Sequence, residues 1–252
     1  MKKRKIRPIA LAFAVLILLM AAFAVRMGMH RAPRVVLPET PSSGSGAAVS
    51  EPTQESVRRV EVTRETVQDA IATLARPDNY RCSITVERYY EGGSGVSSAD
   101  VRVMDGWTHA DVSADGQESR HAIVGGGRSW IWYGEDTQVF TAAAVVSADE
   151  ELGIPTYEEV LRADPSRIAA ADYRDLDGAP CIYVETAEDA YGYAERWWVS
   201  VESGLLVAAE KLCAGEVVYR MVETDLHTGA VSASDMTLPD GTVLPEIRPE
   251  QN

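Results

Sequence analysis

The sequence predicts a mainly β protein with a few helices, built on one antiparallel sheet. Three observations predict it. Between Tyr80 and Leu226, short runs rich in β-branched and aromatic residues are separated by Gly- and Asp-containing turns, at intervals too short for strand–helix–strand units. The stretch from Tyr193 to Leu226 reads as three strands joined by tight turns at Glu202-Ser203-Gly204 and Ala214-Gly215. No fixed-period repeat and no second linker interrupts the chain after residue 57, so one domain over residues 57–240 is the simplest division.

Taken in order, residues 1–8 form a basic segment with Lys2, Lys3, Arg4, Lys5 and Arg7. An apolar run from Ile9 to Val25 follows, closed by Arg26. Its length and its basic N-terminal flank predict a signal anchor over residues 9–26, a single transmembrane helix with the rest of the chain outside the cytoplasm. The alternative is a cleaved signal and a secreted domain, because Ala22-Phe23-Ala24 fits a small-x-small cleavage site. No cysteine adjoins the run, which excludes a lipoprotein anchor. Residues 27–56, with Pro33, Pro38, Pro41, Pro52 and Ser42-Ser43-Gly44-Ser45-Gly46, cannot bury a core and read as a disordered linker.

In the folded part, Thr63 is a candidate N-cap, and Val67, Ala70, Ile71 and Leu74 recur at helical spacing until Pro77, predicting about three helical turns. Six strands follow: Tyr80 to Tyr90, Asp100 to Met104, Trp107 to Val112, Glu118 to Val124, Arg128 to Tyr133 and Thr137 to Ala142. Glu91 to Gly95, Asp105-Gly106, Asp115-Gly116, Gly125-Gly126-Gly127 and Gly134-Glu135-Asp136 turn the chain between them. Residues 143–153 read as loop or irregular helix. Thr156-x-x-Glu159 is a capping-box pattern that opens a short helix ended by Pro165. Ile168 to Tyr173 and Cys181 to Thr186 are strands about Asp177-Gly178, the three-stranded meander follows, and Ser234 to Leu238 is a candidate last strand before a Pro-rich tail, residues 241–252.

Charge excludes some functions. The net charge is −14, and residues 1–34 hold eight Lys or Arg and no Asp or Glu, leaving 16 basic against 38 acidic residues, a net of −22. Such a domain repels nucleic-acid phosphate and anionic headgroups, so no nucleic-acid partner is expected.

Four stretches carry a family resemblance: the helix leading into Arg76-Pro77-Asp78-Asn79-Tyr80-Arg81, Trp130-Ile131-Trp132-Tyr133, the run from Trp197 to Val207, and Met236-Thr237-Leu238-Pro239. Together they resemble the lipoprotein-carrier (LolA-like) family and the related envelope-stress regulators, over most of residues 60–240. The resemblance implies a half-barrel: one curved antiparallel sheet whose concave face is covered by helices and accepts acyl chains or other apolar partners. Family carriers shuttle freely, whereas this chain reads as tethered, which suggests a local binder or regulator.

The candidate ligand surface is aromatic: Trp107, Trp130, Trp132, Phe140 and Trp197 are the residues expected to line an apolar concavity. Trp130 and Trp132 share a face of one strand, whereas the adjacent Trp197 and Trp198 point oppositely. Packing of the same rings into the core is the competing expectation. For catalysis the sequence offers little. It has no G-x-S-x-G, H-E-x-x-H, G-K-[ST] or C-x-x-C, and His109, His121 and His227 lack ligand spacing, although His109 and His121 can face one another across paired strands. The expectation is a non-enzyme without cofactor or metal. Cys82, Cys181 and Cys213 are expected to be free and buried. The partners expected are a lipid or lipidated protein, or alternatively a membrane protein such as an anti-sigma factor onto which a regulatory domain docks.

Overall fold

The computed structural model describes residues 61–246, together with the backbones of two short paired strands, β1 (Val36–Leu37) and β2 (Arg58–Arg59). The expected basic segment and anchor, most of the expected linker and the end of the tail lie outside the described residues. Among the described residues no helix is long and apolar enough to cross a membrane.

Alternation and turn chemistry produce eleven antiparallel strands in one open, curved sheet. They are β3 (Asn79–Tyr90), β4 (Gly93–Met104), β5 (Trp107–Ala114), β6 (Arg120–Gly125), β7 (Arg128–Tyr133), β8 (Phe140–Ala143), β9 (Ile168–Leu176), β10 (Ala179–Thr186), β11 (Tyr193–Ser200), β12 (Leu206–Cys213) and β13 (Glu216–Thr228). The tight hairpins carry the left-handed backbone that such turns require: φ is 49° and 81° at Asp105-Gly106, and 51° and 81° at Ala214-Gly215. The second strand begins earlier than expected, at Gly93, because Gly93 to Val96 complete the hairpin with β3 down to Tyr90↔Gly93.

Across the sheet the order is β8-β7-β6-β5-β4-β3-β13-β12-β11-β10-β9. Two meanders, β3 to β8 and β9 to β13, meet where β3 pairs with β13, the first large strand against the last. This order leaves β8 at one edge and β9, the next strand in sequence, at the other. The chain between them therefore has to cross a whole face. It does so through α2 (Ala148–Glu151) and α3 (Tyr157–Arg162). The preceding α1 (Val67–Ala72) packs against α3. The α1 segment is shorter than the expected three turns, with one leading turn closed by Val67 N donating to Thr63 O at 2.9 Å. Pro77 disfavours helical backbone at Arg76, so the chain leaves for β3.

The helix-covered face holds the main core. Ile84 and Val86 of β3, Ala99 and Val101 of β4, Ala110 and Val112 of β5, Ala122 of β6, and Ile182 and Val184 of β10 pack there with Val67, Ile71, Ala148 and Val160 of the helices. The small side chains of Ala110 and Ala122 lie where α2 packs on β5 and β6, and they let its backbone come close.

The opposite face has its own cover. The expected last strand at Ser234 to Leu238 is instead a 3-10 turn, Ala233–Asp235, followed by an isolated bridge, Thr237↔Val243. The reason is topological. β13 lies inside the sheet with both of its sides paired, so no free edge is within reach of the chain leaving it. The segment turns onto the face, where Val231, Met236 and Leu244 pack on Ile123 and Trp132. Leu244 is 1% exposed, so packed residues run past the boundary expected at residue 240.

Candidate functional site

A cavity of about 290 Å³ lies between the helix-covered face and the segments that cross it. Its floor comes from alternate residues of neighbouring strands: Tyr80, Cys82 and Ile84 of β3, Val101 and Val103 of β4, Thr108 of β5, Leu206 of β12, and Met221 and Glu223 of β13. The register makes them one surface, since Tyr80 pairs with Val103, Cys82 with Val101, and Ile84 with Glu223. The roof is the exit of α1 (Arg76, Pro77, Asp78), the start of α2 (Ser147, Asp149) and the start of α3 (Pro155 to Glu158).

Polar contacts fasten the roof. Gln68 Nε2 of α1 donates to the carbonyl oxygens of Val160 and Ala163, each at 2.9 Å, closing the end of α3. Arg76 does the same for α1, its Nη2 donating to Ile71 O at 2.7 Å and its Nη1 to Leu74 O at 3.0 Å. Gly204 lets the turn before β12 approach this corner. It has φ +68°, and a Cβ there would lie 2.7 Å from Ala75 O. A second, more open cavity of about 720 Å³ adjoins the first and shares Arg76, Pro77 and Glu223 with it.

Two carboxyl groups dominate the electrostatics. Burial pushes the Asp149 carboxyl up to about 6, and the charge of Glu158 adds to the effect. Asp149 is 8% exposed, and its Oδ1 accepts a bond from Glu150 N at 3.2 Å. The nearby Ser147 hydroxyl favours the ionised form, yet it makes no hydrogen bond of acceptable geometry and stays buried without a partner. Burial likewise pushes Glu223 up to about 7; the Cys82 thiol offsets part of this and the charge of Asp149 adds to it. The Tyr80 hydroxyl and the Cys82 thiol are raised well above their ordinary values, first by burial and then by these acids. The floor is mostly apolar but carries Tyr80, Cys82 and Glu223, and the roof carries Asp149 and Glu158.

The sequence-predicted aromatics do not share this cavity. Trp197 packs in the main core on the helix-covered face at 3% exposure, but it does not line the cavity. Trp107, Trp130 and Trp132 pack on the opposite face, under the C-terminal segment, with Trp107 and Trp130 stacked at 5.9 Å between ring centroids. Phe140, at 54% exposure, sits on the edge strand β8 against Tyr133. The reason is parity. In β5, β6 and β7 the residues facing the helices are the alternate set of Thr108, Ala110, Ala122, Val124 and Ile131, which puts the tryptophans on the other side.

Two other expectations met more structure than the sequence suggested. His109 and His121 do approach one another, through a carboxylate: Asp111 Oδ1 lies 3.1 Å from His109 Nε2 and 2.5 Å from His121 Nδ1. Arg102 Nη1 donates to Asp111 Oδ2 at 2.9 Å, and His109 Nδ1 lies 2.6 Å from the Asp235 carbonyl oxygen, tying the cluster to the C-terminal segment. The spacing His109-x-Asp111 was the available signal, since residues two apart on a strand share a face. Among the described residues no group of three or more His, Cys, Asp or Glu is placed to hold a metal ion. Cys82, Cys181 and Cys213 are free, Cys213 being only partly buried. Asp149 and Glu223 carry no local sequence pattern that sets them apart from the chain's many other acids.

No family model and no curated protein matches the chain. Solved structures that resemble it include MucB in complex with MucA(peri), at 19% identity and a TM-score of 0.40, covering 69% of this chain and 56% of that one. Another is a LolA superfamily protein from Nitrosomonas europaea, at 9% identity and a TM-score of 0.31, covering 68% of this chain and 95% of that one. A third is the Mycobacterium tuberculosis lipoprotein LppX, at 12% identity and a TM-score of 0.36, covering 67% and 95%. This chain thus spans little more than half the length of the MucB chain.

Proposed function

We propose that this chain is a membrane-tethered, extracytoplasmic, non-enzymatic binding module whose cavity between sheet and helices takes an alkyl chain from a lipid or a lipidated protein. The observation that supports this reading is the cavity's floor. Ile84, Val101, Val103, Leu206 and Met221 line a space of about 290 Å³ between the sheet and the segments that cross it. That is near the lower end of ligand-pocket sizes, roughly 300 Å³, so it suits one chain segment rather than a whole multi-chain lipid. Each methylene buried there contributes about 0.8 kcal/mol. The acidic domain around it disfavours adhesion to an anionic bilayer, leaving insertion of a single chain as the productive contact.

Native mass spectrometry of the intact chain after mild purification tests this. A co-purified lipid mass, displaced by a neutral fluorescent alkyl probe that binds saturably, is expected. A clean apo mass with no saturable probe binding overturns the reading. A second reading, docking onto a membrane protein partner as an envelope regulator, draws support from the exposed edge beside β8, where Phe140 is 54% and Val145 96% exposed. It predicts that in-cell cross-linking from position 140 recovers one discrete membrane protein.

A further inference from the structure

The charged lining of the cavity is one-sided. Asp78, Asp149, Glu158 and Glu223 stand against Arg76 alone. Arg76 is already occupied, with Nη1 and Nη2 donating to backbone carbonyls, its flat face 3.6 Å from the Tyr157 ring centroid, and only the enclosed Nε left over. Neither Asp149 nor Glu223 joins an ion pair among the described residues; nearby cations go elsewhere, Arg162 to Glu150 for example. Asp149 is 8% exposed, and Glu150 N donates to its Oδ1 at 3.2 Å. The cavity therefore holds carboxyl groups in surplus over cations.

A carboxylate held out of bulk water without a counter-charge is costly, and a ligand that brings a cation offsets part of that cost on binding. A ligand that brings a second anion adds like-charge repulsion in a poorly hydrated space. We propose that the cavity selects amphiphiles with a cationic, hydrogen-bond-donating head, a long-chain primary amine or an amino-headed lipid, whose ammonium lies among Asp149 and Glu223 while its chain covers the apolar floor. The proposal rests on the reading above that an alkyl chain enters here. Glu223 lines both cavities, so a head entering through either one meets it.

The test is photo-cross-linking of the intact chain, at pH 8, with three diazirine probes of one chain length: dodecylamine, dodecanol and dodecanoate. Labelling of peptides containing Ile84, Val101 and Met221 is read by mass spectrometry and normalised to labelling elsewhere in the same chain, which corrects for partition into lipid. The amine is expected to label these peptides at least tenfold more than the carboxylate, with the alcohol between them. Glu223→Gln and Asp149→Asn are each expected to reduce that ratio at least threefold. Equal or stronger labelling by the carboxylate overturns the inference while leaving alkyl binding intact, and this arm needs no variant to fold. A ratio unmoved in both variants, with their circular dichroism unchanged, overturns the role of the two carboxyls. If no probe labels the cavity, the alkyl-binding reading fails and this inference fails with it.

Discussion

The guanidinium of Arg76 lies 3.6 Å from the centroid of the Tyr157 ring, joining the exit of α1 to the start of α3 directly over the cavity. The same side chain closes the last carbonyls of α1 through Ile71 O and Leu74 O. Replacing it removes a cation–π contact and two helix-terminal hydrogen bonds at once. Arg76→Ala is expected to cost about 2 kcal/mol, a fall in Tm of about 4–8 °C by calorimetry. Arg76→Lys is expected to recover less than half of this, because an ammonium neither stacks flat on the ring nor donates in two fixed directions.

The buried carboxyls make stability depend on pH in a defined direction. Asp149 and Glu223, facing Glu158, Arg76, Tyr80, Tyr157 and Cys82 across the cavity, hold their protons more tightly folded than at their ordinary values of 3.8 and 4.5. Their contribution is full below about pH 4 and is lost as pH rises through 6 to 7. Asp111 acts oppositely: burial raises it, but the hydrogen bonds and charges of His109, His121 and Arg102 outweigh that and hold it well below the usual carboxylate range. Its contribution is present above about pH 4 and lost on acidification. Urea unfolding is therefore expected to show greatest stability near pH 4–5 from these groups. Asp149→Asn is expected to stabilise by up to about 3 kcal/mol at pH 8 and by nothing at pH 3.5.

On the opposite face, Gly125 sits beneath the Trp107 ring, and a Cβ added there would collide with it. Gly125→Ala is expected to open the Trp107–Trp130 stack and destabilise by about 2–3 kcal/mol. Urea unfolding followed by tryptophan fluorescence checks both effects, since the native emission should change together with the midpoint. Cavity labelling by an alkyl probe should be little altered, because this packing lies across the sheet from the cavity.

Ala214 holds φ 51° at the first central position of a two-residue hairpin turn, followed by Gly215 at 81°. Asparagine accepts that backbone more readily than alanine does. Ala214→Asn is expected to stabilise by about 0.5–1 kcal/mol, measured as a rise in Tm with no change in ligand labelling.

The hairpins were legible in the sequence because their determinants are local. Asp105-Gly106 and Ala214-Gly215 specify turns, and the flanking alternation specifies strands, whatever the rest of the chain does. Alternation also divided each strand into two faces, which is why Trp130 and Trp132 were expected to lie together and do. The candidate site was less legible. Nothing near Trp107, Trp130 or Trp132 says which face the helices cross.

What the sequence by itself determined, then, is one antiparallel sheet of short hairpins and an acidic surface. The tertiary structure decided the rest: the β3–β13 pairing sends the crossover from one edge to the other over a single face, which hides Ile84 and Val101 beneath a roof and brings Asp149 of the roof to the same cavity as Glu223 of the floor. The physical reason is range. Turn and strand preferences act over a few residues, whereas the side of the sheet that becomes a cavity depends on pairings between residues more than a hundred positions apart, such as Ile84 with Glu223.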